Sequence, residues 1–272
     1  DEYNIFLIDD DNVLNYLNSE MIRKESPRSN IRVFENAENA IEALKNYLTA
    51  PDAQAILIKG LNDHNFEIRK TCINILNEEN NQTLYETNKI TLQNLAKSDP
   101  NSNVRATAIT TLASQKSNAT DLEIILNACN DSSYIVVQKA LKALYLIDKP
   151  KAVTIAKQLE NSESNYVQMA IASIYAEQGN KSMMPYFMNQ LANNAGNNQV
   201  FINKYFKNYL TKVDDETIEK ALSIIKSIAV EAMQEKIEFS AKSTLGDMLA
   251  AADSEELKEK IKIIMKEIDQ LK

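Results

Sequence analysis

Ile56 to Leu76 reads ILIKGLNDHNFEIRKTCINIL, and Leu92 to Leu112 reads LQNLAKSDPNSNVRATAITTL. Two further stretches share that layout, EIILNACNDSSYIVVQKALKAL from Glu123 and AKQLENSESNYVQMAIASIY from Ala156. Each is a short apolar helix, a polar turn and a second apolar helix. Aligned on the turn, Asp63, Asp99, Asp131 and Ser162 fall in one column, short side chains able to accept from the free N–H groups that open a helix. Ile68, Val104, Val136 and Val167 follow as core anchors, then Arg69, Arg105, Val137 and Gln168. Cys72, Ala108 and Ala140 hold a small-residue column where helices approach closely, and Leu76, Leu112, Leu144 and Tyr175 close the face. No single unit can bury its own apolar stripe; stacking on neighbours does so. The expected fold is mainly α, a right-handed α-α superhelix (solenoid) of roughly six helix pairs. The competing reading is a helical bundle whose self-similarity is accidental.

The recurring turn Asp and early Arg resemble HEAT-type repeats, closely in the first two copies and less so where Val137 and Gln168 replace Arg. Composition agrees with long helices and short links. Four Gly and five Pro in 272 residues leave little material for the tight turns of a strand-rich fold. A net charge of −8 and a pI near 5.0 exclude the phosphate-neutralising surface that nucleic-acid binding needs. No apolar run reaches membrane-spanning length, so no membrane span is expected and the localisation is left open. The chain opens at Asp1 without Met, which reads as a processed or excised polypeptide. Cys72 and Cys129 sit in apolar helical stretches and read as buried free thiols.

Residues 1–48 follow different rules. Tyr3 to Ile8 is a continuous apolar run read as a parallel strand, with Asp9, Asp10 and Asp11 at its carboxyl end. Val13, Leu14, Leu17, Met21 and Ile22 recur at helical spacing, Ile31 to Phe34 reads as a second strand, and Ala37 to Leu48 as a second helix. This β-α-β-α order resembles the first half of a response-regulator receiver domain. The resemblance implies Mg²⁺ held by Asp9 and Asp10, carboxylates that suit a hard cation. It stops near Leu48, for Lys59 and Gly60 stand where the phospho-acceptor would fall. An N-terminal cap, a homodimerisation patch built on the open strand edge, or a piece not native to the same polypeptide are the alternatives. The expected division is 1–48 and 49–272.

Beyond Asn180 the repeat degenerates but helical spacing persists. Met183, Met184, Tyr186, Phe187 and Leu191 mark one helix, and Val200, Phe201, Tyr205, Phe206 and Tyr209 an aromatic second, readable as core or as a binding face. Asn193 to Asn198 reads as a polar turn, with a helix pair at Ala221–Ala232 and Ile237–Ala251. Ser254-Glu255-Glu256 caps a last helix with a charged outer face. The succession DSSYIVVQKALKALYLIDKPKAVTIAKQLE and then IASIYAEQGNKSMMPYFMNQLAN looks like the C-terminal HEAT-like helical domain of bacterial M1-family zinc aminopeptidases. That resemblance implies a domain that packs on a catalytic domain and helps enclose its chamber, the zinc belonging to that other domain. H-E-x-x-H does not occur here, and the single histidine, His64, lies in a repeat turn. No catalytic residue is therefore assigned. The leading expectation is a non-catalytic solenoid that binds protein, either its own catalytic domain or another chain. The alternatives are a signalling protein with a receiver-like segment on a HEAT scaffold, and a free-standing HEAT adaptor.

Overall fold

The structure is a computed structural model that describes residues 4–8, 19, 30–34, 39, 51–78, 82–115, 117–193, 199–234 and 241–270. The chain forms two compact units, Asp1–Ala143 and Leu144–Lys272.

The first unit opens with β1 (Asn4–Ile8) and β2 (Asn30–Phe34), which pair in parallel with Asn4 opposite Asn30 and Ile8 opposite Phe34. Ser19 and Asn39 are helical. Asp9, Asp10 and nearly all of the two helices expected around them lie outside the described residues.

Five helices and most of a sixth follow in this unit: α1 (Pro51–Leu61), α2 (Phe66–Leu76), α3 (Gln82–Ser98), α4 (Ser102–Ser114), α5 (Ala119–Ala128) and α6 (Tyr134–Ile147). They are the helix pairs of the first three sequence repeats. First helices touch first helices, α1 with α3 and α3 with α5, while α2 touches α4. Within a pair, α1 packs on α2 and α3 on α4. This two-row stacking is a mainly-α, HEAT-like solenoid fold. The anchors behave as their spacing predicts: Val104, Val136, Ala108, Ala140, Leu76 and Leu112 are buried, as is Cys72. Full burial of each such Val or Leu contributes roughly 1.5–3 kcal/mol. Ile68 departs from its column and is only half-buried. It faces Gly60, which offers no side chain to cover it.

Gly60 has its own reason to be small. A Cβ there would stand 2.4 Å from Cys72 Sγ. The same two columns hold Ala96 with Ala108 and Ala128 with Ala140 in the next copies, so Gly-plus-Cys replaces Ala-plus-Ala. Gly60→Ala is expected to destabilise, since overpacking costs about 1–3 kcal/mol against a helix-propensity gain of up to about 1 kcal/mol. Gly60→Ala combined with Cys72→Ala is expected to recover most of that loss. A urea titration of both variants checks this; an uncompensated double variant would refute the volume trade.

The second unit continues past Leu144 with α7 (Lys149–Gln158), α8 (Asn165–Gln178), a 3-10 turn at Lys181–Met183, α9 (Met184–Asn193), α10 (Gln199–Leu210), α11 (Asp215–Gln234), α12 (Ala241–Ala251) and α13 (Glu255–Gln270). The rows recur: α9, α11 and α13 touch in sequence, as do α8, α10 and α12. Gly179 ends α8 at φ 62°, the left-handed turn that glycine accepts without strain. Two aromatics of that stretch are core. Phe206 and Tyr209 are buried with Tyr186 and Phe187, and their rings meet edge-on, tilted or stacked. The last helix is capped as its sequence predicts, Ser254 Oγ accepting from Leu257 N at 3.3 Å.

Candidate interaction surface

The turns that join first to second helices share one construction. Asp63 Oδ1 accepts from Asn65 N at 2.7 Å, Asp99 Oδ1 from Asn101 N at 2.8 Å and Asp131 Oδ1 from Ser133 N at 2.7 Å. Ser162 Oγ does the same for Ser164 N at 3.3 Å. Sequence spacing led to these contacts. It did not lead to the other half of the device, which links one repeat to the next. Arg69 donates from Nε and Nη2 to the two carboxylate oxygens of Asp99, both at 2.7 Å, and from Nη1 to the Asp63 carbonyl at 2.7 Å. Arg105 repeats the arrangement one step on, reaching Asp131 at 2.8 and 2.7 Å and the Asp99 carbonyl at 2.7 Å. A planar guanidinium fits a carboxylate with two parallel bonds, which fixes orientation as well as distance. Gln168 keeps only the local part, donating to the carbonyls of Glu160 and Ser162 at 2.7 and 2.6 Å.

The first-helix row has its own staple, also unseen in the sequence. The fully buried Asp121 accepts from Lys89 Nζ at 2.9 Å and from Gln93 Nε2 at 2.7 Å, while its second role closes a capping box with Asn118. Burial alone would depress the Lys89 ammonium, but Asp121, Tyr85 and Glu86 together outweigh it and hold the pKa above the ordinary lysine value.

Between their core positions the second helices carry exposed side chains as well. On α4 the outward stripe is Asn103, Thr107, Thr110 and Ser114, uncharged throughout. Thr107 and Thr110 donate their hydroxyls to Asn103 and Ala106 carbonyls at 2.8 and 2.9 Å, as Thr71 on α2 does to Glu67 at 2.9 Å. These hydroxyl protons are therefore spent within their own helices. One register step on, α6 places Ile135, Lys139 and Lys142 in the columns of Asn103, Thr107 and Thr110. Lys139 is exposed and Lys142 half-buried, and neither has a carboxylate partner among the described residues. Burial, reinforced by the neighbouring charge of Lys139, pushes Lys142 below the ordinary lysine value.

Other sequence candidates are quiet. His64 is 98% exposed and stands 3.3 Å from Asp63. Cys72 and Cys129 are buried free thiols, each pushed up to about 12 by burial, with Asp63 adding to the effect at Cys72. Such thiols are poor nucleophiles at neutral pH. Among the described residues no group of three or more His, Cys, Asp and Glu could hold a metal ion. No helix among them is long and apolar enough to cross a membrane.

Comparison with known proteins agrees with this architecture. The family described as HEAT repeats matches residues 90–176, roughly a third of the chain, a span from within α3 to the last turn of α8. No curated protein matches. Residues 90–176 are thus similar to HEAT repeats, and the helices described on either side stack in the same two rows.

Proposed function

We propose that this chain is a non-catalytic protein-binding scaffold whose second-helix face receives an acidic segment of a protein partner. The observation that carries this reading is the α6 pair Lys139 and Lys142. In a chain with 38 Asp and Glu against 30 Lys and Arg, these two neighbouring lysines have no carboxylate partner among the described residues. An arriving carboxylate would relieve a cost that the free protein bears. Because the folded pKa of Lys142 lies below its unfolded value of 10.5, the unfolded chain holds that proton more tightly. The residue therefore subtracts stability at neutral pH, and the penalty disappears as pH rises through 10.5. Lys142→Met is expected to raise the thermal midpoint at pH 7, with a smaller gain at pH 10. The binding test uses fluorescent 12-residue peptides rich in Asp and Glu with interspersed leucines. Lys139→Glu with Lys142→Glu is expected to weaken anisotropy-measured binding at least tenfold, and added salt to weaken the wild type. Equal binding by both forms would defeat the reading.

The finer form of the proposal names the partner as the catalytic domain of an M1-type aminopeptidase within the same polypeptide. The helix succession from Asp131 to Asn193 supports it by resemblance. An H-E-x-x-H segment encoded upstream in the same reading frame would establish it, and its absence there would leave the adaptor role.

A second reading concerns residues 1–48 as a separate receiver-like piece ahead of 49–272. The parallel pairing of β1 with β2 favours it, since parallel strands need a crossover connection between them. Asp9 and Asp10, at the carboxyl end of β1, would then take Mg²⁺, and the strand edge would be open to a second copy. Calorimetric titration with Mg²⁺, compared with Asp9→Asn and Asp10→Asn, tests the cation site.

A further inference from the structure

We propose that the groove between α11 and α13 is a two-fold docking face for a second copy of this chain. The two helices lie side by side and enclose an open groove of about 370 Å³. Its floor is Leu222 from α11 with Ile263 and Ile264 from α13. Ile263 is 55% exposed. An ion pair crosses each end: Lys260 Nζ to Glu219 at 2.6 Å and Lys226 Nζ to Glu267 at 2.8 Å.

The order of these charges selects the occupant. Along α11 the face reads Glu219, then Lys226; along α13 it reads Lys260, then Glu267. Each step is seven residues, two helical turns or roughly 10.5 Å. The four charges therefore form a checkerboard around an apolar centre. A two-fold axis lying in the face and running across the helices turns α11 antiparallel to its own copy. Glu219 then meets Lys226 of the second copy, and Lys260 meets Glu267 of the second copy. Leu222, Ile263 and Ile264 fall on the axis and cover one another. A two-fold axis along the diagonal, which crosses the helices, would instead set Glu on Glu and Lys on Lys. Isologous contacts require this kind of self-complementarity.

The long-range field points the same way. Two molecules of net charge −8 repel over most of their surfaces. This face carries two Glu and two Lys, so it is neutral where the copies would meet. Each intrachain pair also joins a four-charge network, a form in which surface charges contribute more than as isolated pairs. The contact is small, so the expected dimer is reversible.

Sedimentation velocity on the whole chain from about 1 to 200 μM tests the assignment. The wild type is expected to move from the mass of a 30.7 kDa monomer toward its dimer. Ile263→Asp, at an exposed position, is expected to weaken association at least tenfold with an unchanged circular-dichroism melt. Two charge variants settle the geometry even if that one misfolds. Glu219→Lys with Glu267→Lys gives an all-basic face, and Lys226→Glu with Lys260→Glu an all-acidic one. Each alone is expected to remain monomeric, and a one-to-one mixture to associate. A wild type that stays monomeric at 200 μM overturns the proposal. So does a dimer that survives Ile263→Asp and both charge variants, because the contact then lies elsewhere, the β1–β2 edge included.

Discussion

Replacing Arg69 with alanine is expected to cost about 3–5 kcal/mol of folding stability, among the largest losses available to a single substitution here. The side chains of Arg69 and Asp99 are only 9% and 2% exposed. Removing the guanidinium strands a carboxylate in a low-dielectric interior with one compensating bond, from Asn101 N. The Asp63 and His64 carbonyls lose their donor in the same stroke. The penalty belongs to breaking the pair rather than to lacking it, because desolvating both charges already offsets much of their attraction. Arg69→Met with Asp99→Leu is accordingly expected to recover most of the loss. The double-mutant cycle, read by urea unfolding, should show a coupling well above the few tenths of a kcal/mol typical of exposed pairs. A cost below about 1 kcal/mol for Arg69→Ala would mean the pair behaves like a surface contact, and the cross-repeat link would lose its energetic basis. The Arg105–Asp131 step adds a pH signature. The bonds from Arg105 and from Ser133 N outweigh burial and hold Asp131 below its ordinary value of 3.8. Its share of stability is therefore complete above pH 3.8 and lost as pH falls through the lower folded value.

The two halves of that link show what a sequence does and does not display. Each Asp is visible because its job is local: it bonds a backbone N–H two residues on, and the turn spacing repeats. Each Arg is visible as a column too, but its partner is thirty residues away for Arg69 and twenty-six for Arg105. That pairing depends on the rise and rotation between repeats, which helical periodicity does not encode. One signal was available. Reading each Arg-column residue against the turn of the following copy gives Arg69 with Asp99, Arg105 with Asp131, then Val137 with Ser162. Both members are charged or both are not, as a buried pair requires. The Lys89–Asp121 staple has no such repetition, and nothing in its spacing announces it. The stripe on α6 was equally hidden, since Lys139 and Lys142 draw notice only because no carboxylate among the described residues pairs with them. Residues 1–48 presented the opposite case, a readable strand pattern whose acidic cluster at Asp9 and Asp10 lies outside the described residues.

Phe187→Ala is expected to cost a comparable 3–5 kcal/mol. The sequence left the aromatic helix from Val200 to Tyr209, against which Phe187 packs, with two readings because periodicity shows that Phe and Tyr share a face, not what covers it. The structure covers it. Phe187 is fully buried on α9, with the Tyr209 ring centroid 4.7 Å away, Tyr186 at 5.4 Å and Phe206 at 5.6 Å. Truncation to alanine removes a large apolar surface and leaves a cavity that three rings, Tyr186 on α9 with Phe206 and Tyr209 on α10, collapse into only in part. Tyr209 is further restrained by its hydroxyl, which donates to the Asn180 carbonyl at 2.9 Å, so it has little freedom to tilt inward. Phe187→Leu keeps most of the volume and is expected to lose about 1.5 kcal/mol or less. Tyr209→Phe removes one hydrogen bond and is expected to lose about 1 kcal/mol. Urea midpoints of the three variants should therefore fall in the order Phe187→Ala far below Phe187→Leu and Tyr209→Phe. Near-native stability in Phe187→Ala would instead place this ring on a surface awaiting a partner. In that event the α9–α10 pair, rather than α6, would be where a binding partner should be sought.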